Sequence, residues 1–106
     1  MSTSTNKYDT IESIIYDEGL RISTIDFHRG LDLMLVVLNT GAILHQKISN
    51  HSSLKNATDE QLNKFELIGK GIGVHWPLID EDLSLKGFLK DELMSVVKNG
   101  RNPLAA

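Results

Sequence analysis

Between Gly73 and Ser84 the chain gathers its one tryptophan, one of its two prolines and three adjacent acids, in the order Gly73, Val74, His75, Trp76, Pro77, Leu78, Ile79, Asp80, Glu81, Asp82, Leu83, Ser84. Proline lacks an amide hydrogen and fixes φ, so a strand through Val74 and Trp76 must stop at Pro77. Asp80, Glu81 and Asp82 read as an acidic turn leading into a helix that Asp82 or Ser84 caps. Carboxylates at a helix N-terminus stabilise it by about 0.5 to 2 kcal/mol each when well placed, which accounts for the cluster without any reaction chemistry. Trp76 shares a strand face with Val74 and is expected in the core. His75 points the other way, toward the surface, an acid of the turn, or a ligand.

The helix that follows is the plainest element. Leu85, Phe88, Leu89, Glu92, Leu93, Val96 and Val97 recur at three and four residues, and Asn99 and Gly100 end the run. Its far stripe, Leu93, Val96 and Val97, extends beyond what a small sheet needs for cover, so it either packs on its own sheet or meets another chain.

Upstream, Ile22, Ile25 and Phe27 lead to a turn at Arg29 and Gly30, then to the nearly continuous apolar run 31–38, which suits a central strand. Asn39, Thr40 and Gly41 tolerate positive φ, and 42–48 resumes as a third strand, giving an antiparallel meander. Residues 49–56 are a loop by composition, with room for a helical turn around Leu54. Thr58 and Gln61 have the spacing of a capping box for a short helix over 59–65. The glycine-spaced stretch 66–76 forms one or two short strands about a bend. Asp9 and the apolar positions 11, 14 and 15 fit one or two helical turns, although the β-branched content also permits a strand. The fold class is α+β: a small antiparallel meander sheet with one short and one longer helix packed on it. The expected organisation is an N-terminal extension (1–20), a single domain (21–98) and a flexible tail (99–106).

Composition narrows the function classes. At 106 residues, one core is the limit. The formal charge of −3 and the lack of a basic run argue against direct nucleic-acid binding. Without cysteine there is no disulfide, thiol nucleophile or thiolate metal site. The apolar runs fall far short of the ~18 residues that cross a bilayer, and the polar first seven residues are unlike a signal peptide, so no membrane association and a cytoplasmic location are expected.

The remaining chemistry-bearing residues form no recognised centre. His28, His45 and His51 stand on separate segments at no metal-ligand spacing. Gly69, Lys70, Gly71 and Gly73 lack the order of a phosphate loop and lead into a strand rather than a helix. No serine lies in a Gly-x-Ser-x-Gly elbow. Neither a metal nor a cofactor is expected. His75 with Asp80 and Asp82 is the one set from which acid–base chemistry or ligand binding could start.

The segments 54–62 and 65–77, and 80–85 with Gly87, Phe88 and Leu89, resemble the bacterial domain of unknown function 2442 family. The His-Trp-Pro and Asp-Glu-Asp-Leu-Ser signatures, His75, Trp76, Pro77 and 80–84, carry the resemblance, which spans about residues 22–89. The chain departs from the family pattern at 39–42, where the family often has Asp-Gly-Arg, and at 50–53, where an aromatic-Pro-Arg segment is usual. The resemblance implies a small protein often encoded beside a member of the domain of unknown function 4160 family, in the manner of a toxin and antitoxin pair. The expected function is a non-enzymatic protein–protein interaction module, antitoxin-like or regulatory, that binds and masks a partner such as a toxin-like protein. In this reading the acidic loop and Leu93, Val96 and Val97 make the contact. A small enzyme or ligand-binding domain using His75 with Asp80 and Asp82 is the alternative, and self-association is left open.

Overall fold

The computed structural model describes residues 9–100. Residues 1–8 of the expected N-terminal extension, and 101–106 of the expected tail 99–106, lie outside these residues; 99 and 100, expected to end the last helix, fall within it. The order of elements is α1 (Thr10–Tyr16), β1 (Ile22–His28), β2 (Leu33–Leu38), β3 (Ile43–Lys47), α2 (Ser52–Lys55), α3 (Asp59–Asn63), β4 (Glu66–Ile68), β5 (Gly73–Trp76), β6 (Glu81–Ser84) and α4 (Leu85–Gly100). The fold is α+β, with the strands divided between two antiparallel three-stranded sheets, β1-β2-β3 and β4-β5-β6.

The first sheet is the expected meander. In β2, Met34, Val36 and Leu38 alternate inward and are buried, and they meet Phe27, Ile25 and Ile22 in the β1 register. Asp32 reverses the β1–β2 connection at φ 52, and its carboxylate accepts from the Ser49 amide at 2.9 Å and the Ser49 hydroxyl at 2.5 Å. That hydroxyl holds the Asp32 carboxyl below its ordinary pKa. At the β2–β3 turn, the Asn39 side chain accepts from the Arg21 amide at 3.0 Å and donates to the Gly19 carbonyl at 2.9 Å. The residue that departs from the family's turn pattern therefore ties the turn to the segment before β1.

Both short N-terminal caps follow the local sequence. Thr58 and Gln61 form the reciprocal box on α3, with Gln61 N to Thr58 Oγ1 at 3.2 Å and Thr58 N to Gln61 Oε1 at 2.8 Å. Asp9 and Glu12 do the same on α1. This helix falls within the expected N-terminal extension, yet it packs against the domain: Ile15 is 2% exposed and belongs to the main core. Lys86 of α4 reaches Asp9 at 2.9 Å and Glu12 at 3.0 Å.

The second sheet corrects the reading of the acidic segment. Asp80, Glu81 and Asp82 do not form the first turn of a helix. Residues 77–80 make a hairpin turn that Asp80 closes at φ 52, and Glu81 and Asp82 enter β6 opposite Trp76 and His75. Cross-strand pairing with β5 overrides the poor strand propensity of Glu, Asp and Ser, because Leu83 must sit over Val74. Asp82 is accordingly not a helix cap. Ser84 is, since its hydroxyl accepts from the Gly87 amide at 3.0 Å.

One core joins the two sheets to α4. Ile22 N donates to Gly71 O at 2.8 Å and Leu85 N donates to Ile72 O at 2.9 Å. Gly71 has φ +119, and a Cβ there would lie 2.8 Å from the Ile22 nitrogen, so only glycine fits this junction. Phe88 and Leu85 of α4 are buried with Val74, Trp76, Leu54 and Leu62.

Candidate functional site

Two surfaces gather the residues singled out by sequence: the β5–β6 hairpin and the far half of α4. In the hairpin, strand alternation sorts the signature by role. Trp76 is fully buried, and its indole Nε1 donates to the Leu62 carbonyl at 3.0 Å. Phe27 packs edge-on against Trp76 at 6.4 Å and against Phe65 at 6.3 Å, so one aromatic cluster links both sheets to α3. Pro77 is exposed at the first turn position, where its fixed φ and missing amide end the β5 ladder. Trp76 and Pro77 are thus structural.

On the opposite face, His75 Nδ1 and Asp82 Oδ1 are 2.5 Å apart. Glu66 of β4 is the register partner of His75 on its other side. Glu66, His75 and Asp82 therefore form one row across three strands. The hydrogen bond that His75 donates to Asp82 raises the His75 pKa, opposed by partial desolvation and supported by the charges of Asp82, Glu66 and Asp80. Among the described residues, no cluster of three His, Asp or Glu side chains is placed to hold a metal ion. Asp82 lines two open clefts, and neither includes His75 among its walls.

Helix α4 changes character along its length. Leu85 and Phe88 are buried, Leu89 is partly so, and beyond them Leu93, Met94, Val96 and Val97 are 56%, 55%, 59% and 51% exposed. The stripe does not pack on its own sheets. The helix does brace the first sheet, because Glu92 Oε1 accepts from the His45 amide on β3, an edge strand, at 3.2 Å. Met94 joins the expected Leu93, Val96 and Val97 patch; only knowledge of where the sheet cover ends would have added it. Alongside runs an open cleft of about 410 Å³ between α4 and the loop at Asn50 and His51. Sequence gave no signal for it, because His51 reaches α4 through tertiary packing. Its Nε2 lies 3.2 Å from the buried Gln46 Oε1, and its ring meets Phe88 edge-on at 6.3 Å.

Among the described residues, no helix is long and apolar enough to cross a membrane. No functionally curated protein matches the chain. A crystal structure of a protein of unknown function from Rhodospirillum rubrum is 30% identical, with TM-score 0.60, over 68% of this chain and 87% of that one. The solution structure of an uncharacterized Chromobacterium violaceum protein is 22% identical, with TM-score 0.64, over 100% of this chain and 94% of that one, and shares the fold. A family model described as a protein of unknown function, DUF2442, matches residues 22–92, which include the whole His75–Ser84 signature and the first half of α4. The chain belongs to the DUF2442 family.

Proposed function

We propose that this protein is a non-enzymatic interaction module that binds another protein through the far half of α4. The observation that carries the reading is the contiguous display of Leu93, Met94, Val96 and Val97, each more than half exposed. Leu93, Val96 and Val97 recur at three and four residues on one helix face with Met94 beside them, the spacing a helix-in-groove contact uses. The signature residues supply the support: Trp76 anchors β5 in the core, and Ser84 starts α4 at a fixed angle to it. The acidic hairpin at Asp80, Glu81 and Asp82 adds steering toward a basic partner. The second small protein that the family resemblance implies as a gene neighbour would make this an antitoxin-like or regulatory role in the cytoplasm.

The test is co-expression with the product of the adjoining gene, followed by sizing chromatography of the wild type and of Leu93→Asp/Val97→Asp. A complex formed by the wild type and lost in the variant supports the reading. Failure of the wild type to associate either with that product or with itself removes it.

The close His75–Asp82 contact favours a second reading, a ligand-binding or acid–base site with Asp80 nearby. The position of His75 outside the two clefts that Asp82 lines weighs against it. His75→Gln separates the two readings: an adaptor keeps its partner, whereas a site built on the imidazole loses its activity.

A further inference from the structure

Row placement gives Glu66, His75 and Asp82 a second consequence, independent of what α4 binds. β5 is the middle strand of its sheet, and its inward face is fixed by the buried Val74 and Trp76. Its outward face at mid-strand carries His75, whose side chain is 30% exposed, with a carboxylate on each neighbouring strand in direct register. Antiparallel neighbours in register hold side chains close enough for charge to matter, and like charges there are destabilising. The charged groups that face the imidazole are Asp82 from β6, Glu66 from β4 and Asp80 from the turn, all acidic. A neutral ring leaves these carboxylates without a cation between them. A protonated ring places one positive charge at the centre of the row.

We propose that Glu66, His75 and Asp82 form a proton-operated clasp across the second sheet, closed when the imidazole is charged and loosened when it is neutral. The site of action is the hairpin from which α4 springs, because β6 runs directly into the Ser84 cap and Leu85. With the proton bound, Nδ1–H donates to Asp82, and the cation balances the acids on both sides. With the proton lost, Asp82 and Asp80 face Glu66 across a ring that carries no charge, and the edge strands β4 and β6 lose the ionic part of their cross-strand hold while keeping their backbone ladders and the Leu83 contact with the core. Those ladders are only three and four residues long.

The sign follows from the direction of the His75 shift. A group bound more tightly to its proton in the folded state contributes stability that is complete below its unfolded value of 6.5. That contribution is lost as pH rises through the folded midpoint. The clasp thus opens on the alkaline side of 6.5 and remains closed in mild acid.

The test uses the full chain. The His75 ring is titrated by carbon–proton NMR in the wild type, Asp82→Asn and Glu66→Gln. Amide exchange in β4, β5 and β6 is followed in parallel in the wild type and His75→Gln, corrected for intrinsic rates. The expected result is a midpoint that drops in Asp82→Asn and drops by less in Glu66→Gln. Wild-type protection in β5 and β6 should fall several-fold as pH passes the His75 midpoint, with no such step in His75→Gln. A His75 midpoint unmoved by Asp82→Asn, or wild-type protection that shows no step there, overturns the proposal.

Discussion

Replacing Trp76 by Phe removes the indole nitrogen that donates to Leu62 O at 3.0 Å and leaves that carbonyl buried behind a smaller ring. An unpaired buried acceptor costs about 1–3 kcal/mol. The lost ring segment removes two buried carbon groups, worth about 1.5 kcal/mol at ~0.8 kcal/mol per group. Together these give about 3 kcal/mol, with the edge-on contact to Phe27 retained in weakened form. In urea unfolding followed by far-ultraviolet circular dichroism, an m value of about 1.5 kcal/mol/M converts this to a midpoint lowered by roughly 2 M. The thermal midpoint should drop by more than about 10 °C. The slope m should not change, since the same surface is exposed on unfolding. A midpoint shift equivalent to less than about 0.5 kcal/mol would refute the assignment of Trp76 as the pin between the second sheet and α3, because no unpaired carbonyl costs so little.

Gly71→Ala should destabilise the fold by more than about 2 kcal/mol in the same assay, because φ +119 and the Ile22 backbone leave no room for a methyl group. Lys70→Gly, one residue earlier at φ 62, should be neutral to stabilising by up to about 1 kcal/mol, since glycine relieves the left-handed conformation. Lys86→Gln should loosen α1, read as faster amide exchange at 13–16. The Asp9 and Glu12 carboxyls are held below their ordinary pKa values by their capping amides first and by Lys86 second. Their contribution to stability is present above those ordinary values and is lost as pH falls through the folded ones. The difference between the wild type and Lys86→Gln should therefore shrink below about pH 4.

How much of this was legible depends on the range of the interaction. The Thr58–Gln61 box lies within four residues, and the β1–β2–β3 meander shows itself through the alternating apolar positions of 33–38 and the turn residues beside them. Trp76 was recognisable as core from its size and its shared face with Val74. The acidic segment misled because Asp80–Asp82 have the composition of a helix N-terminus, whereas the deciding facts are the left-handed Asp80 and the pairing of Leu83 with Val74. Neither is encoded within the segment itself. For the same reason the Glu66 partner of His75, nine positions away, could not be named. Helical spacing marked Leu93, Val96 and Val97 as one face, but periodicity cannot say where the sheet beneath a helix ends, so burial or exposure of that face required the fold.

The most direct measurement is the affinity, by titration calorimetry, of the wild type, His75→Gln and Leu93→Asp/Val97→Asp for the protein encoded next to it. The double variant should unfold within about 0.5 kcal/mol of the wild type, since Leu93 and Val97 are surface positions. The double variant should bind at least tenfold more weakly while His75→Gln matches the wild type. Unchanged affinity in the double variant, or loss confined to His75→Gln, contradicts binding through the far half of α4.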